Sequence, residues 1–140
     1  YEIARFDHRF ERGLSEVTPT YTLMPDGTVR VENRGCKHKK PYDVCKTAEG
    51  RAKIPDPSQP GKLKVSFFLS FYSDYYVLEL DQDEYNYALI GSSSDKYLWI
   101  LSRAPILPEE IKKKLLDAAT RRGYDVKKLI WVEQREKKIM

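Results

Sequence analysis

Few side chains in this sequence are of a type that does chemistry, and their spacing limits what that chemistry is. Cys36 and Cys45 flank one short polar stretch. An even cysteine count at short spacing across a turn points to a disulfide and an oxidising compartment, with two free thiols as the alternative. Closing a loop of about ten residues would stabilise by roughly 2.5–3 kcal/mol. His8 and His38 are the only histidines. Both fall in predicted loops, and two imidazoles alone make a weak metal or haem site. Asp81 and Asp83 sit beside a turn and read as turn residues rather than as an acid–base pair. Glu2 is either exposed on a short strand or buried with a partner, for which Arg103 is the candidate. Catalysis is not expected from this set, and no cofactor or metal is implied.

The whole composition agrees with a globular domain. The chain has 140 residues, 41% hydrophobic and 33% charged, with formal net charge +4, enough to bury a core. The densest basic cluster is Lys37, Lys39 and Lys40 around His38. Elsewhere basic residues alternate with apolar ones, which reads as a solvated face and not as the contiguous stripe that nucleic acid needs. Arg135-Glu136-Lys137-Lys138 reads as a frayed tail. No apolar run approaches the roughly 20 residues that span a bilayer. Tyr1-Glu2-Ile3-Ala4-Arg5 reads as the middle of a strand, so the chain is expected to begin inside its first element, and the lack of a leader says nothing of a precursor.

The elements that must position these residues are mostly strands. Short runs with period-two alternation recur at 1–7, 16–23, 28–34, 44–54, 62–67, 75–81, 87–91 and 97–103, separated by turn signals such as Pro25-Asp26-Gly27. That pattern favours a sandwich or barrel over alternating strands and helices. Pro19 predicts a bend or bulge, and one register break is expected near Thr47. Loops are expected at 8–15, 35–43, 69–74 and 92–96. The character changes once: Pro108-Glu109-Glu110 opens a helix. Ile111, Leu115, Ala118 and Ala119 form its apolar stripe, with Leu116 at the edge and Gly123 as the stop. The stripe is expected to pack on the sheet.

Eight antiparallel strands can avoid exposed edges by closing into a barrel whose interior holds either side chains or one small ligand. The residues expected to face inward are Val29, Val31, Asn33, Ala48, Ala52, Val65, Phe67, Tyr75, Val77, Ala88, Ile90, Tyr97 and Trp99, with Gly50 on the same side. Small residues on one wall opposite aromatics on another suggest a cavity. A packed, ligand-free core fits the spacing equally well.

Several segments resemble the lipocalin family, and within it the bacterial lipocalins, apolipoprotein D and plant temperature-induced lipocalins. Tyr1-Glu2-Ile3-Ala4-Arg5-Phe6 is similar to the continuation of the family's first motif, whose Gly-x-Trp would precede residue 1. Phe10-Glu11-Arg12-Gly13-Leu14-Ser15-Glu16-Val17-Thr18 resembles the first loop and second strand of bacterial members. Asp83-Glu84-Tyr85 matches the second motif in part, and Tyr97-Leu98-Trp99-Ile100-Leu101-Ser102-Arg103 matches the third closely. The resemblance implies one lipocalin domain over residues 1–140: an all-β, eight-stranded antiparallel up-and-down barrel to about 103, a helix over about 108–122 packed on it, and a short final strand at about 129–133. It implies that Arg103 lies over the first-motif tryptophan and closes the barrel floor, a guanidinium on an indole. Strand order then puts the Cys36 and Cys45 loop at the mouth, with Leu69, Phe71 and Tyr72 as rim residues. The expected function is binding and transport or storage of a fatty acid or lysophospholipid, with a role in cell-envelope maintenance, in the outer membrane or periplasm of a Gram-negative bacterium. A lipid anchor upstream would supply membrane association, no nucleic acid is expected, and a homodimer is one option. The alternatives are a lipocalin-like isomerase or de-epoxidase and a ligand-free protein-interaction module.

Overall fold

A computed structural model describes residues 1–7, 13–38, 41–68, 71–93 and 95–134, with 67, 68 and 71–73 described by backbone alone. His8, Lys39, Lys40, Leu69 and the 135–138 tail lie outside the described residues. The elements are β1 (Glu2–Phe6), β2 (Ser15–Leu23), β3 (Val29–Lys37), β4 (Val44–Lys53), β5 (Lys62–Phe68), β6 (Phe71–Leu80), β7 (Tyr87–Gly91), β8 (Trp99–Ser102), α1 (Glu109–Arg121), a 3-10 turn at Val126–Lys128, and β9 (Leu129–Trp131). The alternating segments have become strands and the periodic stripe has become the helix. All nine strands form one curled antiparallel sheet in the order β2-β3-β4-β5-β6-β7-β8-β1-β9.

The ladder differs from the expected closed ring. β1 is five residues long. One of its edges pairs with β8, and the other is taken by β9 through Ala4↔Trp131, Arg5↔Ile130 and Phe6↔Leu129. Among the described residues β2 therefore meets this seam through single bonds rather than a ladder. Glu16 N–H donates to the Glu133 carbonyl at 2.7 Å, and Gln134 Nε2 donates to the carbonyls of Glu2 and Val17 at 2.7 and 2.8 Å. Glu16 is left with φ +52°, in the left-handed region that non-glycine residues seldom adopt. The irregularity in β2 falls here, between Ser15 and Thr18, and not at Pro19. Pro19 is tolerated because β2 is the end of the ladder.

Two expected loops shrink. β3 runs on to Lys37, and its pairing with β4 is unbroken from Val29↔Ala52 to Lys37↔Val44, so no register break occurs at Thr47. Cys36 is a strand residue directly opposite Cys45. β6 begins at Phe71, so Phe71 and Tyr72 belong to a strand, not to a rim loop. Here Lys64↔Asp74 and Val65↔Ser73 pair across β5 and β6, and Lys64 Nζ meets Asp74 Oδ1 at 2.7 Å.

The buried apolar core sits outside the barrel wall. Ile3, Ala4, Phe6, Leu89, Leu98 and Ile100 from the strands pack against Leu115, Ala118 and Ala119 of α1 and against Tyr124, with Ile111 and Leu116 at the margin. Gly91 makes this closure possible. A Cβ there would collide with the Tyr124 hydroxyl and stand 2.8 Å from Leu78 Cδ1.

Candidate ligand cavity

Cross-strand partners share a face of the sheet, so register defines the inner wall. Val29↔Ala52↔Val65 crosses β3, β4 and β5, and Leu63↔Tyr75, Val77↔Ile90 and Ala88↔Leu101 continue it. These residues enclose a cavity of about 560 Å³, within the usual range of ligand sites. Of the residues expected to face inward, Val29, Ala52, Val65, Tyr75, Val77, Ala88 and Ile90 line it. Val31 is buried beside it without lining it. Asn33 is half-buried, and its side-chain oxygen finds no hydrogen-bond partner among the described residues. The side chains of Phe67, Phe71 and Tyr72 are outside the description.

Ala48 is a correction, because it is exposed. Among the described residues β4 pairs with β5 over Arg51–Lys53, so Ala48 lies beyond the described part of that ladder. Tyr97 and Trp99 are not among the described residues that line this cavity, although Trp99 pairs with Ile90 and Arg5 and so shares the inward face. Trp99 stacks on Tyr75 at 6.2 Å between centroids and Tyr97 on Trp99 at 5.8 Å. Tyr1, Tyr21, Leu63, Leu80, Tyr87 and Leu101 are lining residues that sequence reasoning missed. Leu63 and Leu101 were within reach of it, since they lie two positions from Val65 and Trp99.

The wall is mostly apolar, but Thr18, Asn86, Ser102, Arg103 and several tyrosines bring polar groups to it. Tyr21 and Tyr75 hydroxyls are hydrogen-bonded at 2.6 Å. Tyr75 keeps some accessible surface because it faces the hollow, but protein atoms surround its hydroxyl. Burial first, then Tyr21 and the Glu2 charge, push its pKa well above the ordinary phenol value. Glu2 and Arg5 are 3% and 2% exposed, and their side chains pair at 3.1 Å. Glu2 is thus buried, and among the described residues the ion pair it forms is with Arg5, not with Arg103. A bulge between Glu2 and Ala4 turns both side chains to one face, as Glu2↔Leu101 and Arg5↔Trp99 require. Arg5 Nη2 also donates to the Leu14 carbonyl at 3.0 Å. Arg103 lines the far end of the cavity with its Nε donating to the Tyr85 carbonyl at 2.9 Å. Asp81 caps its turn by accepting from the N–H groups of Asn86 and Asp83 at 3.1 and 3.2 Å, bonds that lower its pKa, Asn86 most.

Cys36 and Cys45 form a disulfide with Cα atoms 4.0 Å apart, clasping the β3–β4 hairpin at the mouth. Replacing both by serine is expected to remove about 2.5 kcal/mol in the chain-entropy account. The urea midpoint should fall accordingly, and wild-type protein in reductant should match the variant.

Beside this clasp, Ser15 Oγ lies 2.8 Å from His38 Nε2, and His38 Nδ1 lies 3.0 Å from Asp43 Oδ2. The connectivity is that of an acyl-transfer triad. Its setting is not, because His38 and Asp43 are exposed and preorganised charge is weak in water. Ser15 Oγ also donates to the Cys36 carbonyl at 3.4 Å. The group ties the start of β2 to the β3–β4 loop.

A family model described as a lipocalin-like domain matches residues 1–134. The outer membrane lipoprotein Blc of Citrobacter freundii is 48% identical over 134 residues, 96% of this chain and 74% of that one. Temperature-induced lipocalin-1 of Arabidopsis thaliana is 42% identical over 138 residues, 92% of this chain and 72% of the relative. Among solved structures, apocrustacyanin C1 superposes with a TM-score of 0.73 at 19% identity, over 97% of this chain and 76% of that one, a likeness of fold alone. With sheet, helix and cavity arranged as described, the chain belongs to the lipocalin family.

Proposed function

We propose that the barrel is a carrier for a fatty acid or lysophospholipid, holding the acyl chain in its cavity without reacting with it. The observation that supports this is the hollow itself, about 560 Å³ walled mainly by Val29, Ala52, Leu63, Val65, Val77 and Ile90. Each buried methylene contributes about 0.8 kcal/mol, so a sixteen-carbon tail gains roughly 12 kcal/mol gross. A headgroup paired with a basic side chain at the rim adds at most about 1 kcal/mol. Ordering and association costs take back much of the gross figure, and tail length remains the dominant variable.

Among the described residues the lining includes neither cysteine nor histidine, which favours carriage over an isomerase-type reaction. The bacterial relatives are named outer membrane lipoproteins, and we place this protein in the same compartment. An oxidising periplasm suits the disulfide, and a lipid anchor upstream of Tyr1 would hold the protein at the membrane.

Native mass spectrometry of purified protein, followed by solvent extraction, should recover single-chain lipids. A series of saturated acids from ten to eighteen carbons should bind progressively tighter, with about fourfold per methylene as the upper limit. A flat series would remove the tail from the cavity and the proposal with it.

A further inference from the structure

The chain holds its densest basic cluster at the end of the β3–β4 hairpin, where neither the core nor the cavity needs a charge. Lys37, Lys39, Lys40 and Lys46 lie in or beside the stretch that the Cys36–Cys45 bond closes, against one acid, Asp43. Lys46 pairs with Gly35, so Lys37 and Lys46 share the face of the hairpin that continues the inner wall toward the mouth. Among the described residues neither of these two ammonium groups meets a carboxylate at ion-pair distance. Arg30 by contrast has Glu32 and Glu49, Lys64 has Asp74 and Lys112 has Glu109.

Tyr42 lies in the same connection, 72% exposed, and follows Pro41, whose ring stiffens the chain there. A phenol with its ring among headgroups and its hydroxyl in water is how tyrosine gathers at membrane interfaces. The disulfide and the contacts of His38 with Ser15 and Asp43 hold the base of the connection, which lowers the ordering cost of docking.

The acids at this end limit how much of the rim takes part. Asp43 is engaged with His38, and Glu16 lies 3.7 Å from the same ring. Across the mouth Asp7 is exposed at the end of β1, and the exposed Asp95 sits beside Lys96. The positive excess therefore belongs to the hairpin end and not to the whole rim. So short a connection with one exposed ring offers few of the phosphate and stacking contacts that a nucleic acid needs. A lipid leaflet presents anionic groups at any spacing and takes an interfacial tyrosine as well.

We propose that the disulfide-closed end of the hairpin docks the mouth of the barrel on an anionic phospholipid surface. Lys37 and Lys46 face the headgroups, Tyr42 enters the interface, and the charges of Lys39 and Lys40 add to the attraction. Docking does not require a filled cavity, so it stands apart from the carrier reading.

The test is co-sedimentation of the full chain with vesicles of phosphatidylcholine, alone or with about one third phosphatidylglycerol, at low salt. The wild type should partition onto the anionic vesicles at least about tenfold better, and about 0.5 M salt should remove the difference. Each lysine near such a surface is worth about fivefold, so Lys37→Gln with Lys46→Gln should cut binding roughly twenty-fivefold. Tyr42→Ser should cut it about threefold, and its exposure keeps the test usable if the double variant misfolds by circular dichroism. Lys113→Gln with Lys127→Gln removes the same net charge from exposed positions elsewhere and should cost less than about threefold. Equal losses in the two double variants overturn the docking site, as does equal binding to both kinds of vesicle. Duplex DNA bound as tightly as the anionic vesicles overturns the lipid surface as the partner. A wild type that docks but takes up no oleate defeats the carrier reading alone, whereas one that takes up oleate but ignores vesicle charge defeats docking alone.

Discussion

Arg5→Met is expected to cost about 3–5 kcal/mol of folding stability, the loss that follows when one partner of a buried ion pair is removed and the other charge stays behind. Glu2 has no water to turn to, at 3% exposure. Replacing both partners, as Glu2→Leu with Arg5→Met, should recover most of that loss, because two apolar side chains of similar size leave no buried charge. Recovery should fall short by about 1 kcal/mol, since Arg5 also donates to the Leu14 carbonyl and no methionine can. Urea midpoints of the wild type, both single variants and the double variant close the cycle. A single Arg5→Met loss under 1 kcal/mol would mean that water reaches Glu2 after all. The pair has a definite place in the fold. It stands between β8 and β2 at the seam where no described ladder runs, and the bond from Arg5 to Leu14 is one of the described ties across it.

That ion pair also marks where reading the sequence stops. Period two places Glu2 and Arg5 on opposite faces, and the bulge between Glu2 and Ala4 reverses this without any residue that announces it. Strand positions were legible because alternation is local, and so was the helix, whose stripe of Ile111, Leu115, Ala118 and Ala119 needs only its own turn. The inner wall was legible in part. Val29, Ala52, Val65 and Val77 follow from parity, but parity cannot say how far along a strand the enclosed wall extends, and so Ala48 was expected inside. The extension of β3 to Lys37 was hidden because a polar run reads as loop until cross-strand pairing and the Cys36–Cys45 bond draw it into the sheet. The meeting of Tyr21 with Tyr75, and of Ser15 with His38 and Asp43, depends on chain segments far apart in sequence, and no spacing rule reaches them. The family resemblance supplied the fold, while the polar contents of the lumen required coordinates.

Ala52→Trp should abolish lipid binding while leaving the fold intact. Ala52 is 2% exposed, lies between Val29 and Val65 in the ladder, and points its single methyl into the hollow. Overpacking a filled core costs about 1–3 kcal/mol. An indole that enters empty space instead buries new apolar surface, so the thermal midpoint should stay close to that of the wild type. The ligand bears the loss. An indole that displaces four methylenes removes about 3 kcal/mol of burial, more than a hundredfold in affinity. Ala48→Trp supplies the contrast, because Ala48 lies on the same strand with the same parity but on the exposed part of the hairpin, and it should bind as the wild type does. Equal binding by both tryptophan variants would put the lipid outside the barrel, for instance against the rim. A loss confined to Ala52→Trp locates the acyl chain between β3, β4 and β5, because only a ligand threaded into that wall can tell the two alanines apart.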